Sequence, residues 1–311
     1  MLSRRNVRIK VMQLLYAKSR DNDLKFKDIL TQYQRSVNET FSIYIFNIAY
    51  FLKVTEYSVS DAQRRASKLL PTSEDKDFKP LLFNNSFTQS LYKNIYVQKL
   101  ITTHKMNDWI DIDNVKKFYS DFSKTVTYLD FINNKDKTDD SYREILLELY
   151  RYLSKNKLYN ELMDDRFQSW ADDESIVVGT MKKTLKSLPV EQDFYKQYLP
   201  SVETTQEFGE TLLKDTFNRD EELMTYIEPT LRNWDADRVA IIDMILIKMA
   251  LIEMIICTTI PTKVTLNEYV DIAKLYSTDK SKEFINGVLD KLMNQLKVEG
   301  KIVKEGRGLI E

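Results

Sequence analysis

The chain has 311 residues, including 6 Gly, 6 Pro, 1 Cys and 1 His, and its 46 basic and 47 acidic residues leave a net charge of −1. A single cysteine excludes an internal disulfide framework, and one cysteine with one histidine cannot build a zinc finger or a Cys–His pair. No glycine falls in a G-x-G-x-x-G or G-x-x-x-x-G-K pattern, so no phosphate-cradling loop is encoded. The remaining general bases are mostly carboxylates, and ordinary histidine-based catalysis is set aside.

Hydrophobic residues make up 43% and charged residues 30% of the chain, the balance of a soluble globular protein. A net charge near zero predicts no nucleic-acid role, yet a local basic patch can still bind phosphate. Scarce Gly and Pro, with long stretches rich in Leu, Lys, Glu, Tyr and Asn, predict helices joined by short polar turns. The opening Met1-Leu2-Ser3-Arg4-Arg5 is charged, but no unbroken apolar stretch of a secretory signal follows. The strongest apolar run, Val239 to Cys257, is interrupted by Asp243, Lys248 and Glu253. Each of these would cost roughly 2.5–3.5 kcal/mol near a bilayer centre, so a buried central helix is expected rather than a membrane span. A soluble, cytoplasmic protein follows. Cys257, in that run, is expected to be an inert thiol.

In chain order, Ser3 can cap a first helix in which Val7, Val11, Leu14 and Leu15 share one face. Ser36 and Glu39 have the spacing of a capping box, which predicts a second helix running through Phe41, Ile45, Ile48 and Leu52 towards Leu70. A polar loop from Pro71 to Pro80 ends it. Helical patterns then occupy about 84–103, 112–132 and 141–163, the last opened by Ser141 and Glu144. The acidic cluster Asp164, Asp165, Asp172, Asp173 and Glu174 beside Trp170 reads as a solvated helix end. Pro189 and Pro200 bracket a break, after which helices are predicted at about 204–227, 234–257, 265–276 and 281–297. A basic, Gly-containing tail ends the chain. Alternation of period two is sustained nowhere, so the fold is expected to be all-α.

Four strings stand out in order. They are Arg4-Arg5-Asn6-Val7-Arg8-Ile9-Lys10-Val11-Met12-Gln13-Leu14-Leu15-Tyr16, Met249-Ala250-Leu251-Ile252-Glu253-Met254, Pro261 to Lys274 (PTKVTLNEYVDIAK) and Glu283 to Lys291 (EFINGVLDK). Together they resemble the NusB family of transcription antitermination factors. The resemblance covers roughly residues 1–20 and 205–297 and leaves about 185 residues between them outside the compact family pattern. It implies a NusB-like helical bundle with a large additional helical region. The expected division is 1–20 (an Arg-rich first helix of the core), 21–200 (a helical elaboration), 201–297 (the C-terminal core) and 298–311 (a basic tail).

The strings also carry a physical reading. Thr265 and Glu268 have capping-box spacing for the helix after Pro261. Gly287 sits inside a helical run, where glycine costs about 1 kcal/mol against alanine, so close packing against another backbone is expected there. Residues 1–20 hold Arg4, Arg5, Arg8, Lys10, Lys18 and Arg20 without one carboxylate. Such a helix is expected to show guanidinium groups to solvent, with Arg8 at the edge of the apolar stripe. Guanidinium groups fork onto phosphates and stack on bases, which suits single-stranded RNA.

The resemblance implies RNA binding by Arg4, Arg5, Arg8 and Lys10, with Lys282 and Phe284 as a second element at the start of the last helix. For Phe284 a core position is the competing reading. Glu283 and Asn6 depart from positions that are usually basic in the family. The resemblance further implies contact with a NusE-type small-subunit ribosomal protein through Asp243 and Tyr16, the latter equally readable as a buried tyrosine. The implied function is an antitermination factor that binds boxA-like RNA with that partner, joins RNA polymerase and supports rRNA transcription. No catalytic residue, cofactor or metal is implied. The alternatives are a helical protein–protein adaptor with no RNA role and an RNA-binding module related to the front domain of rRNA methyltransferases.

Overall fold

A computed structural model describes residues 1–231 and 239–309. Every regular element among them is helical, as expected from the sequence. The first ten α-helices are α1 (Arg4–Arg20), α2 (Phe26–Ala66), α3 (Ser73–Asp77), α4 (Ser86–Tyr92), α5 (Ile95–Thr103), α6 (Ile112–Phe122), α7 (Val126–Asn133), α8 (Asp139–Lys155), α9 (Lys157–Arg166) and α10 (Trp170–Lys186). A π-helical turn, Glu203–Glu210, leads into α11 (Thr211–Asn218), α12 (Asp220–Thr230), α13 (Ile241–Ile256), α14 (Thr262–Tyr276) and α15 (Ser281–Val298).

Two compact units form. One comprises Glu39–Leu199 with Met1; the other comprises Leu2–Asn38 and Pro200–Glu311. Residues 21–38, read from sequence as part of the elaboration, therefore belong with the first helix and the C-terminal core. The tail after Val298 belongs there too.

The Glu39–Leu199 unit is built on the greater part of α2 and on α3 to α10. Its core is rich in tyrosine, and each buried hydroxyl needs a partner. Tyr150 and Tyr159 both donate to Asn47 Oδ1 at 2.8 Å, and the Tyr44 hydroxyl bonds that of Thr184 at 2.6 Å. Trp170 is fully buried, and Asp173 accepts from the Thr40 hydroxyl at 2.7 Å. These two residues correct the sequence reading of their neighbourhood as a solvated helix end. They open α10, a helix that went unpredicted because its acidic first turn masks the Val177/Met181/Leu185 stripe.

Several helix starts also differ from expectation, for one reason. Asn94, Thr125 and Asn156 each accept a backbone N–H at a helix start and so break the longer runs into α4/α5, α6/α7 and α8/α9, while Thr138, rather than Ser141, caps α8. Ser36 caps nothing. It lies within α2 and donates back to the Tyr33 carbonyl at 2.8 Å.

In the other unit, α13 is the central helix, with α1, α11, α14 and α15 packed around it. Residues Leu246, Ile247, Met249, Ala250, Leu251 and Ile252 are completely buried, as the apolar run predicts. The expected start of this helix at 234 lies outside the described residues. No helix among the described residues is long and apolar enough to cross a membrane. Gly287 is open to solvent, with nothing within 4 Å of where a Cβ would stand, so it is not a close-packing glycine. That role falls to Gly209, whose Cβ would lie 1.9 Å from the Tyr33 hydroxyl and 2.6 Å from Val7 Cγ1.

Candidate nucleic-acid interface

The helix α1 starts where the sequence predicts. The Ser3 side chain accepts the Asn6 N–H, while Asn6 Oδ1 accepts the Ser3 N–H at 3.2 Å. Asn6, which departs from the family's usual basic residue, thus closes a reciprocal cap. From this start the helix places its cations in two layers.

Arg4 and Arg5 form the outer layer, with side chains 37% and 41% exposed. Arg4 Nη2 donates to Glu203 Oε1 at 3.0 Å. Arg5 donates from Nε to Glu268 Oε2 at 3.1 Å and from Nη2 to Asp271 Oδ2 at 2.9 Å. Lys274 and then Arg5 hold the Asp271 carboxyl below the usual carboxylate range.

The inner layer is buried: Arg8, expected at the edge of the apolar stripe, and Lys10, expected among the RNA-binding residues, are both shut away from solvent. Arg8, 3% exposed, grips Glu253 through Nε at 2.7 Å and Nη2 at 2.6 Å, and reaches Glu268 from Nη1 at 3.1 Å. Thr265 and Tyr269 donate their hydroxyls to the same Glu253 carboxylate at 2.9 and 3.1 Å. Burial works against the Arg8 cation. The hydrogen bonds and charge of Glu253 outweigh it and hold the guanidinium above its ordinary value. Tyr269 is pushed far up by burial and by the same carboxylate. Lys10 is equally buried at 3%. Thr265 and Glu268, expected to form a capping box, instead serve this cluster; α14 begins earlier, at Thr262.

Lys282 is exposed at the start of α15, as is Glu283. Phe284 is half-buried against the core, which leaves only part of its ring to solvent. Asp243 is not a surface acid. It is buried and accepts from the Ser277 and Ser281 hydroxyls at 2.5 and 2.7 Å, tying α13 to the α14–α15 turn. Tyr16 is 39% exposed. Beside it in sequence, Leu15 and Lys18 line a cavity of about 480 Å³ together with Phe217, Ile241, Met244 and Lys248. Thr216 also lines it, and its hydroxyl is buried with no hydrogen-bond partner among the described residues.

Cys257 carries a thiol pushed up to about 11 by burial and the nearby Glu253 carboxylate, in line with the inert thiol expected. Sequence reasoning missed Glu203, Glu268 and Asp271 as partners of the arginines. No local pattern marks them, since they lie about 200 or more residues away from Arg4 and Arg5.

Comparison with known families matches residues 178–294 to the NusB family. This range runs from within α10 into α15 and leaves out α1, whose own string resembles the family's opening. Among curated relatives, the transcription antitermination protein NusB of Chloroherpeton thalassium is 44% identical over 91 residues, 29% of this chain and 43% of that protein. The NusB of Salinibacter ruber is 40% identical over 107 residues, 34% of this chain and 67% of that protein. The NusB of Natranaerobius thermophilus is 38% identical over 90 residues, 29% of this chain and 65% of that protein. The chain thus spans less than half the length of the first of these relatives and about two thirds of the other two. No solved structure matches it. With a relative 40% identical across two thirds of its length, and an all-α core of the expected order, the chain belongs to the NusB family.

Proposed function

We propose that this protein is a non-catalytic transcription antitermination factor. It binds boxA-like single-stranded RNA through the outer arginines of α1, acts together with a NusE-type ribosomal protein and joins RNA polymerase. The observation that carries this reading is the two-layer arrangement of α1. Arg8 and Lys10 are removed from solvent, and Arg8 ties the helix to Glu253, while Arg4 and Arg5 stand at the surface of the unit that holds most of the family match.

Half-exposed ion pairs are worth about 0–1 kcal/mol each, so Arg4 and Arg5 can exchange their carboxylates for phosphates at little cost. Arg8 cannot, because its removal from Glu253 would strand a buried charge. The RNA-contacting set is therefore Arg4, Arg5 and Lys282, with the exposed part of Phe284; Arg8 acts as a positioning residue and the buried Lys10 drops out of the set.

For the protein partner, Tyr16 and the adjacent cavity are the docking point, in place of the buried Asp243. An apolar side chain of the partner with one polar atom would fill the cavity and meet the Thr216 hydroxyl. Titration of labelled boxA-like RNA at low salt, with and without the NusE-type protein, tests the reading. Binding that tightens when the partner is added is expected. No binding in either arm contradicts it.

A further inference from the structure

From Phe78 to Asn107 the chain contains no Asp or Glu, and it carries Lys79, Lys93, Lys99 and Lys105. This stretch belongs to the Glu39–Leu199 unit and comprises α4, α5 and their turns. All four lysines are exposed, and none has a carboxylate within ion-pair distance among the described residues. The contrast with α1 is direct, since Arg4, Arg5 and Arg8 are each paired.

Aromatic rings stand among these lysines. Tyr92 and Tyr96 are 36% and 47% exposed, and Ile95 is 71% exposed. Val97 and Ile101 turn inward, so Ile95, Tyr96 and Lys99 share the outer face of α5 at helical spacing. Each tyrosine is braced by another ring. Tyr92 meets Phe83 edge-on with centroids 4.8 Å apart, and Tyr96 meets Tyr195 at 5.5 Å.

The backbone beneath is fixed as well. Asn94 caps α5 by accepting the Val97 N–H at 3.1 Å and donates to the carbonyls of Glu191 and Gln192 at 3.2 Å. Gln98 donates to the Tyr92 carbonyl at 2.9 Å, linking α5 back to the end of α4. The acids on the loop that meets α5 are Glu191 and Asp193, and Asp193 is taken up by Lys196 at 3.6 Å.

We infer that the α4–α5 face is a second binding surface for single-stranded RNA, with Tyr92 and Tyr96 stacking on unpaired bases and Lys93 and Lys99 neutralising the intervening phosphates. Pre-set rings beside unpaired cations are what sequence-tolerant single-strand binding requires. An acidic protein segment would use the lysines but gain little from the rings. The α4–α5 surface lies outside the residues that match the NusB family.

The test uses the full chain and a fluorescent oligouridine 24-mer, titrated over a salt series. The variants are Y92A/Y96A, K93A/K99A and, as a separate arm, R4A/R5A, with circular dichroism confirming helicity. Stacking is worth about 1–3 kcal/mol per base, so loss of both tyrosines should lower affinity at least about thirtyfold. Loss of two phosphate contacts should flatten the salt slope by about 1.4. A duplex of equal length should compete poorly, and 4-thiouridine crosslinks should fall on the α4–α5 peptide.

Unchanged affinity and slope in both α4–α5 variants overturn the inference, as does equal competition by duplex. If R4A/R5A alone weakens binding, the α1 site stands and this surface falls. If only the α4–α5 variants weaken it, the reverse holds.

Discussion

The Arg8 guanidinium sits bidentate on the Glu253 carboxylate, at 2.7 and 2.6 Å, with both side chains shut away from water. A charge in such a place is held by its partner rather than by solvent, and removing one member leaves the other uncompensated. Arg8→Ala and Glu253→Gln should therefore each destabilise the protein by about 3–5 kcal/mol, read as a lowered denaturation midpoint. Arg8→Lys should rescue little, because a point charge cannot reproduce the fork. A midpoint unchanged in Arg8→Ala would show that the pair does not hold α1 in place.

Glu268 and Asp271 hold Arg5 in ion pairs, so under the proposed function they compete with RNA for it. Replacing them with Gln and Asn removes the competitors and keeps the shapes. The double variant should bind boxA-like RNA up to about fivefold more tightly per lost ion pair, as an upper limit for exposed pairs. Fluorescence anisotropy at constant salt measures this. Weaker binding would mean that these acids orient Arg5 for RNA instead of occupying it.

Gly209 and Gly287 should respond in opposite directions to alanine. Gly209→Ala places a methyl group against the Tyr33 hydroxyl and Val7, where overpacking costs about 1–3 kcal/mol. Gly287→Ala meets nothing and gains helix propensity, up to about 1 kcal/mol. Thermal melts of the two variants should shift down and up respectively.

Acid sensitivity should localise partly to α3. Lys68 and the Thr72 backbone hold the Asp75 carboxyl at about 2, below its ordinary value near 3.9. A carboxyl depressed in the folded state binds its proton more readily when unfolded. Its stabilising contribution is therefore complete above about pH 4 and is lost as pH falls towards about 2. Asp75→Asn should lower stability at neutral pH and leave it nearly equal to wild type at pH 2, as measured by denaturant titrations across that range.

Much of the fold was legible because it depends on local signals. The Ser3 cap, the apolar run of α13 and the periodicity of α15 appear where the sequence places them. Breaks within the long helical runs were missed, since Asn94, Thr125 and Asn156 look like ordinary polar residues until a chain reversal uses them as caps. The site was less legible for a related reason. A basic, carboxylate-free helix reads as solvated, whereas Glu253, Glu268 and Glu203 reach it from distant parts of the chain. Burial of Asp243 likewise depends on Ser277 and Ser281, which no spacing around α13 reveals.

Under the proposed function Arg4 and Arg5 contact RNA, while the buried Arg8 positions them. The most direct measurement is the salt dependence of boxA-like RNA affinity for wild type and for R4A/R5A, both checked for unchanged helicity. Two lost phosphate contacts on a single strand should weaken binding and reduce the salt slope by about 1.4. An R4A/R5A protein that binds with the affinity and slope of wild type would contradict the account.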